Sequence, residues 1–114
     1  MEQKRRALRI LFSAAAEITP EVPPSAGVPA RVVELSLREC YVETSVPFGA
    51  HTPVLVKIFN SAEYFEAKTT VIYVKPGTGI GMAFREVNPH FLATLHKWIL
   101  AVMRSQKKPE TCSP

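Results

Sequence analysis

Four basic residues crowd the start of the chain, Lys4, Arg5, Arg6 and Arg9, in the run KRRALR. An arginine's planar fork donates two parallel hydrogen bonds to a phosphate or to the acceptor edge of guanine. The cluster is therefore suited to an anion. Composition alone favours a plainer reading, a solvated basic terminus. A second run, ELSLRECYVET from Glu34 to Thr44, sets the Ser36 hydroxyl between Glu34 and the charged pair Arg38 and Glu39. It carries a strand's alternation and a turn without a glycine. The two runs are read as the halves of one candidate anion-binding surface.

Other chemistry does not rise above background. There is no GxSxG elbow and no HExxH pair, so the usual nucleophile and zinc-protease arrangements are missing. His51, His90 and His96 do not form a ligand set by spacing, and His90 and His96 do not stack on one helix face. No metal site is expected. Glu63 and Glu66 fall at an exposed turn and strand start. Gly77, Gly79 and Gly81 resemble a phosphate loop in composition, but no helix follows them to supply the dipole and free amides. Trp98 is read as core. Cys40 falls in a strand and Cys112 in a tail, with no metal spacing around either. A structural disulfide is not expected, and a reduced, cytoplasmic setting fits. The domain is expected to be non-enzymatic.

These residues need a scaffold. The 114 residues fit one domain, and 46% hydrophobic content supports a core without staples. The net charge of +4 is mild for a binder of nucleic-acid polymers. No run approaches the roughly 20 apolar residues of a membrane span, and the N-terminus lacks the apolar segment of a signal peptide. Between Leu8 and Ile18 the alanine triplet Ala14–Ala16 favours helix, while the short length and the prolines beyond it favour a strand. Strand is the reading taken. Thr19 to Pro29, with four prolines and a glycine, is read as a loop. Strands are then expected from Ala30 to Leu37, from Cys40 to Thr44, over Pro53 to Phe59, Phe65 to Lys75 and Gly79 to Phe84. Asn88 and Pro89 mark a helix start. Phe91, Leu92, Leu95, Trp98, Ile99 and Val102 then give an apolar face running to about Arg104. Residues 105–114 are expected to be a polar, disordered tail. The fold class is all-β with a C-terminal helix: six antiparallel strands closed into a small barrel, with the helix on one opening or flank.

The chain resembles a PilZ domain over nearly its whole length, from Arg5 to about Ile99. Members of that family are split-barrel-type six-stranded β-barrels with a helix after the last strand, and many are receptors for cyclic di-GMP. They carry RxxxR before the first strand, here Arg5 to Arg9. They carry [DN]xSxxG at an early strand, and a segment such as GMGVxF in the last, here GIGMAFREV. The second motif departs from the pattern: Glu34 replaces the short acid or amide, Ser36 is kept, and Glu39 stands where glycine belongs. CYVET, which follows, is family-like and fixes the alignment.

The resemblance implies that Arg5, Arg6 and Arg9 hold cyclic di-GMP, with Glu34, Ser36 and Glu39 at the contact. It implies a single domain, 1–104, made of a basic arm (1–9), a barrel (10–87) and a helix (88–104). Glycine at position 39 would tolerate a positive φ and close backbone approach. Glu39 gives that up. At about 6 Å and an effective dielectric of about 20 its carboxylate would repel a phosphate by about 2–3 kcal/mol. Orientation into solvent, or pairing with Arg38, would soften this. The receptor reading therefore stands beside a second one. In that reading a degenerate PilZ module has lost the nucleotide and acts on an unidentified protein effector through its wall or helix.

Overall fold

The computed structural model describes residues 9–21, 26–46 and 48–111, with side chains through residue 105. Among these residues the chain forms six strands and one helix. They are β1 (Ile10–Pro20), β2 (Val28–Leu35), β3 (Glu39–Glu43), β4 (Pro53–Asn60), β5 (Glu63–Lys75), β6 (Gly79–Glu86) and α1 (Pro89–Thr111). The strands close in the order β1-β2-β3-β6-β5-β4. Every neighbouring pair is antiparallel, including the closing pair of β1 and β4. Closure leaves no long unpaired edge.

Alternation builds the interior. Val54, Val56 and Ile58 of β4 are fully buried, as are Phe65 and Val71 of β5 and Val32 and Leu35 of β2. The alanine triplet is strand. Ala14 and Ala16 face inward and Ala15 outward, so the sheet's period overrides alanine's helix propensity. Thr69 is a fully buried polar residue. Its hydroxyl donates to the Val54 carbonyl at 3.0 Å, which satisfies it.

The helix extends this core. Asn88 caps it, its Oδ1 accepting from the His90 amide at 2.9 Å. Leu95, Trp98 and Ile99 join the interior cluster, and the helix packs against β5 and β1. Trp98 stacks on Phe12 with ring centroids 5.5 Å apart. Its indole donates to Glu63 Oε1 at 3.0 Å, and Lys97 donates to Glu63 Oε2 at 2.5 Å. One carboxylate at the start of β5 thus fastens the helix.

Several boundaries differ from the sequence reading. β1 reaches Pro20 and β2 starts at Val28, so both ends of the expected loop from Thr19 to Pro29 are strand. Both prolines sit at strand ends, where a missing N–H is tolerated. The helix is assigned past Arg104, to Thr111; Arg104, Gln106, Lys107 and Lys108 suit it, whereas Pro109 does not. Residues 112–114 lie outside the described residues. Tyr41, on the opposite face of β3 from Cys40 and Val42, is also buried, at 8% exposure.

Candidate functional site

The turn between β2 and β3 is built by Ser36. Its hydroxyl accepts from the Arg38 amide at 3.1 Å and the Glu39 amide at 3.0 Å, and donates to the Glu39 carbonyl at 3.3 Å. The Ser36 amide donates to that same carbonyl at 2.9 Å. At 3% exposure, Ser36 spends its bonding capacity inside the turn. The adjoining strand clasps it, as the Phe84 amide donates to the Arg38 carbonyl at 2.9 Å. Among the described residues, positive φ occurs at His51, Ser61 and Gly77 and not at Glu39. The turn closes without the backbone freedom that a glycine at 39 would supply.

Arg9 precedes β1 and reaches across to this turn. Its Nη1 donates to Glu34 Oε1 at 3.2 Å and its Nη2 to Glu39 Oε1 at 3.1 Å. All three side chains are partly exposed, at 41%, 35% and 33%. Pairing with the adjacent Arg38 and orientation into free solvent are the two arrangements that would soften the repulsion from Glu39. It does neither, because β1 delivers Arg9 beside β2: Ile10 sits opposite Leu35 and Leu11 opposite Glu34. Two carboxylates share one guanidinium, leaving negative charge in excess. Arg5 and Arg6 lie outside the described residues.

The wall beside this trio is aromatic. Tyr41 of β3 and Tyr73 of β5 lie nearly parallel, 6.1 Å apart and 12° from coplanar. The ammonium of Lys75 sits 5.0 Å from the Tyr41 ring centroid, within cation–π range. Glycines of β6 make the room. A Cβ on Gly81 would fall 2.3 Å from the Tyr73 ring, and one on Gly79 2.1 Å from the Val42 carbonyl and 2.8 Å from the Tyr41 hydroxyl. The glycines of GIGMAF thus leave room for the Val42 carbonyl and the two tyrosine rings. Burial chiefly pushes the Tyr73 hydroxyl up. Arg9 draws it back down, while Glu34 and Glu39 add to the rise. The strand register puts Glu34, Tyr41, Gly81 and Tyr73 in one row across β2, β3, β6 and β5. Tyr41 is also raised, by burial first and then by Tyr73, Glu43 and Glu34. Its hydroxyl is buried and has no hydrogen-bond partner among the described residues. Tyr41, Tyr73 and Lys75 were not singled out from sequence. The only signal that could have found them is a glycine alternating on one strand opposite tyrosines on its neighbours.

The remaining candidates stay apart from this surface. Cys40 points into the core as a free thiol, pushed up to about 12 by burial and then by the neighbouring Glu39. A thiol so raised is a poor nucleophile. His51, His90 and His96 are exposed. Among the described residues no group of His, Cys, Asp or Glu is placed to hold a metal, and no helix is long and apolar enough to cross a membrane.

No family model matches the chain, and no curated protein matches it. Solved structures do. One is the PilZ domain of CeSA from a cellulose-synthesizing bacterium, 19% identical, with a TM-score of 0.68 over 85% of this chain and 99% of that one. The fold is PilZ-like. A second match is the Bacillus subtilis inhibitor of motility, MotI/DgrA, 15% identical with a TM-score of 0.72. It covers 94% of this chain, which spans about half the length of that protein, 54%. Within a PilZ-like frame, the two positions that depart from the second motif, Glu34 and Glu39, are the two that hold Arg9.

Proposed function

We propose that the protein is a non-enzymatic, PilZ-like receptor or adaptor domain that takes cyclic di-GMP on the wall beneath its N-terminal arm. The observation that carries this reading is the placement of Arg9. Its guanidinium lies at the β2–β3 turn on Glu34, whose strand register leads to Tyr41 and half-buried Tyr73, and there a phosphate or a guanine edge could be met by two parallel donors. Arg5 and Arg6 belong to the same arm and would add donors. Ser36 supports the ligand indirectly by fixing the turn, and Glu34 and Glu39 set how freely Arg9 is available. A reducing, cytoplasmic setting belongs to this reading, supported by the sealed thiol of Cys40.

The same contacts favour a second reading, a module that acts through protein contacts without the nucleotide. Magnitudes decide between them. Exposed ion pairs contribute about 0–1 kcal/mol each. Opening both would therefore weaken a ligand about ten-fold, against the roughly 8 kcal/mol of a micromolar complex. The contacts tax binding without abolishing it. Calorimetric titration with cyclic di-GMP tests the choice. A micromolar dissociation constant that is lost in Arg9→Ala and Arg5→Ala is the expected result. Absence of heat at near-millimolar ligand would leave the adaptor reading alone.

A further inference from the structure

We infer that Glu34 and Glu39 form an intramolecular latch that competes with external anions for Arg9, so that the resting domain is self-inhibited. The inference rests on the reading of this wall as an anion receptor and names how that receptor is regulated. The two carboxylates approach different nitrogens of one guanidinium, at 3.2 and 3.1 Å. They come from opposite sides of one turn, Glu34 from β2 and Glu39 from the first position of β3. Together they occupy both terminal nitrogens of the fork that a phosphate would use. The turn that carries them is rigid: Ser36 fills it, and the Phe84 amide ties it to β6. The turn backbone is fixed, so the ordering cost falls on the three side chains alone.

The latch holds the Arg9 side chain against the β2–β3 turn. An incoming anion must lift both carboxylates from Arg9, so binding of the anion and opening of the latch are one event. Neutralising either carboxylate releases part of the hold, and neutralising both releases it fully.

The test uses the full chain as wild type, as Glu34→Gln with Glu39→Gln, and as Glu39→Asp. Gln keeps size and polarity at partly exposed positions, and Asp keeps the charge while shortening the reach. Rotation of the Arg9 guanidinium, followed by NMR on its side-chain nitrogens, reads the latch without any ligand. Hindered rotation in wild type, and free rotation in the double Gln variant, is expected. Rotation loosened in Glu39→Asp would separate the contact from plain repulsion. Cyclic di-GMP should bind the double variant roughly three- to thirty-fold tighter than wild type, the range set by two exposed ion pairs. Free rotation in wild type overturns the latch, as does unchanged affinity in a variant whose rotation has been released. Wild type binding as tightly as the variant would sink the latch and leave the receptor reading standing. Should neither protein bind cyclic di-GMP, the receptor reading falls and inorganic pyrophosphate becomes the probe. Release of Arg9 rotation by pyrophosphate in wild type would support the latch, and failure to release it would overturn it.

Discussion

Single atoms set the shape of this wall. A methyl on Gly79 would meet the Val42 carbonyl, which is backbone and cannot move aside. A methyl on Gly81 would meet the Tyr73 ring, which can rotate away. Gly79→Ala should therefore lower stability by about 1–3 kcal/mol or more, and Gly81→Ala by less. Urea denaturation of the two variants checks the order, and equal losses would contradict it. Ser36→Ala should cost about 1–3 kcal/mol, because two turn amides lose their shared acceptor in a buried place. A loss within error of zero would show that water replaces the hydroxyl. Residue identity alone pointed to the right groups but not to their tasks. Ser36 was legible as important, yet its partners are its own turn's amides, two and three residues on, a local serine-turn pattern that the sequence reading passed over for a ligand contact. Glu39 suggested a lost positive φ. The real backbone there needs none, because the hydroxyl of Ser36 closes the turn.

At the level of elements, local signals translated well. Asn88 followed by Pro89 marks the helix start because capping is decided by neighbours in sequence. Strict alternation in β4 marks a half-buried strand for the same reason. Strand ends and the helix end were less legible. Pro20 and Pro29 are held in strands by partners on other strands, Val54 and Glu17, and sequence alone cannot supply a register. The helix's attachment yields its own prediction. The Lys97 hydrogen bond first, and then the Trp98 indole, hold the Glu63 carboxyl below its ordinary value of 4.5. A carboxyl depressed in the folded state contributes stability that is complete above the unfolded value and is lost as pH falls through the folded one. Thermal melts from about pH 6 down to about pH 3 should show wild type losing stability more steeply than Glu63→Gln. Parallel curves would mean that Glu63 does not fasten the helix.

Across the whole molecule, the candidate site is a product of barrel closure. Arg9 lies 25 residues from Glu34 and 30 from Glu39, and these residues meet only because β1 runs antiparallel to β2 and β3 folds back along it. The tyrosines arrive from β3 and β5, brought within stacking distance by β6 between them. The barrel and its helix were legible from alternation, a capping pair and the resemblance in three segments. The pairing of Arg9 was not, since ion pairs of this kind depend on which side of a strand delivers each group. The consequence for function is a wall that offers one arginine, held in reserve, next to an aromatic floor. The most direct test is an NMR titration of the isotope-labelled chain with cyclic di-GMP. Shifts that saturate at Arg9, Glu34, Glu39, Tyr41 and Tyr73, with β4 silent, are the expected result. No shifts at near-millimolar ligand, or shifts centred on α1, would contradict the assignment of this wall as the nucleotide site.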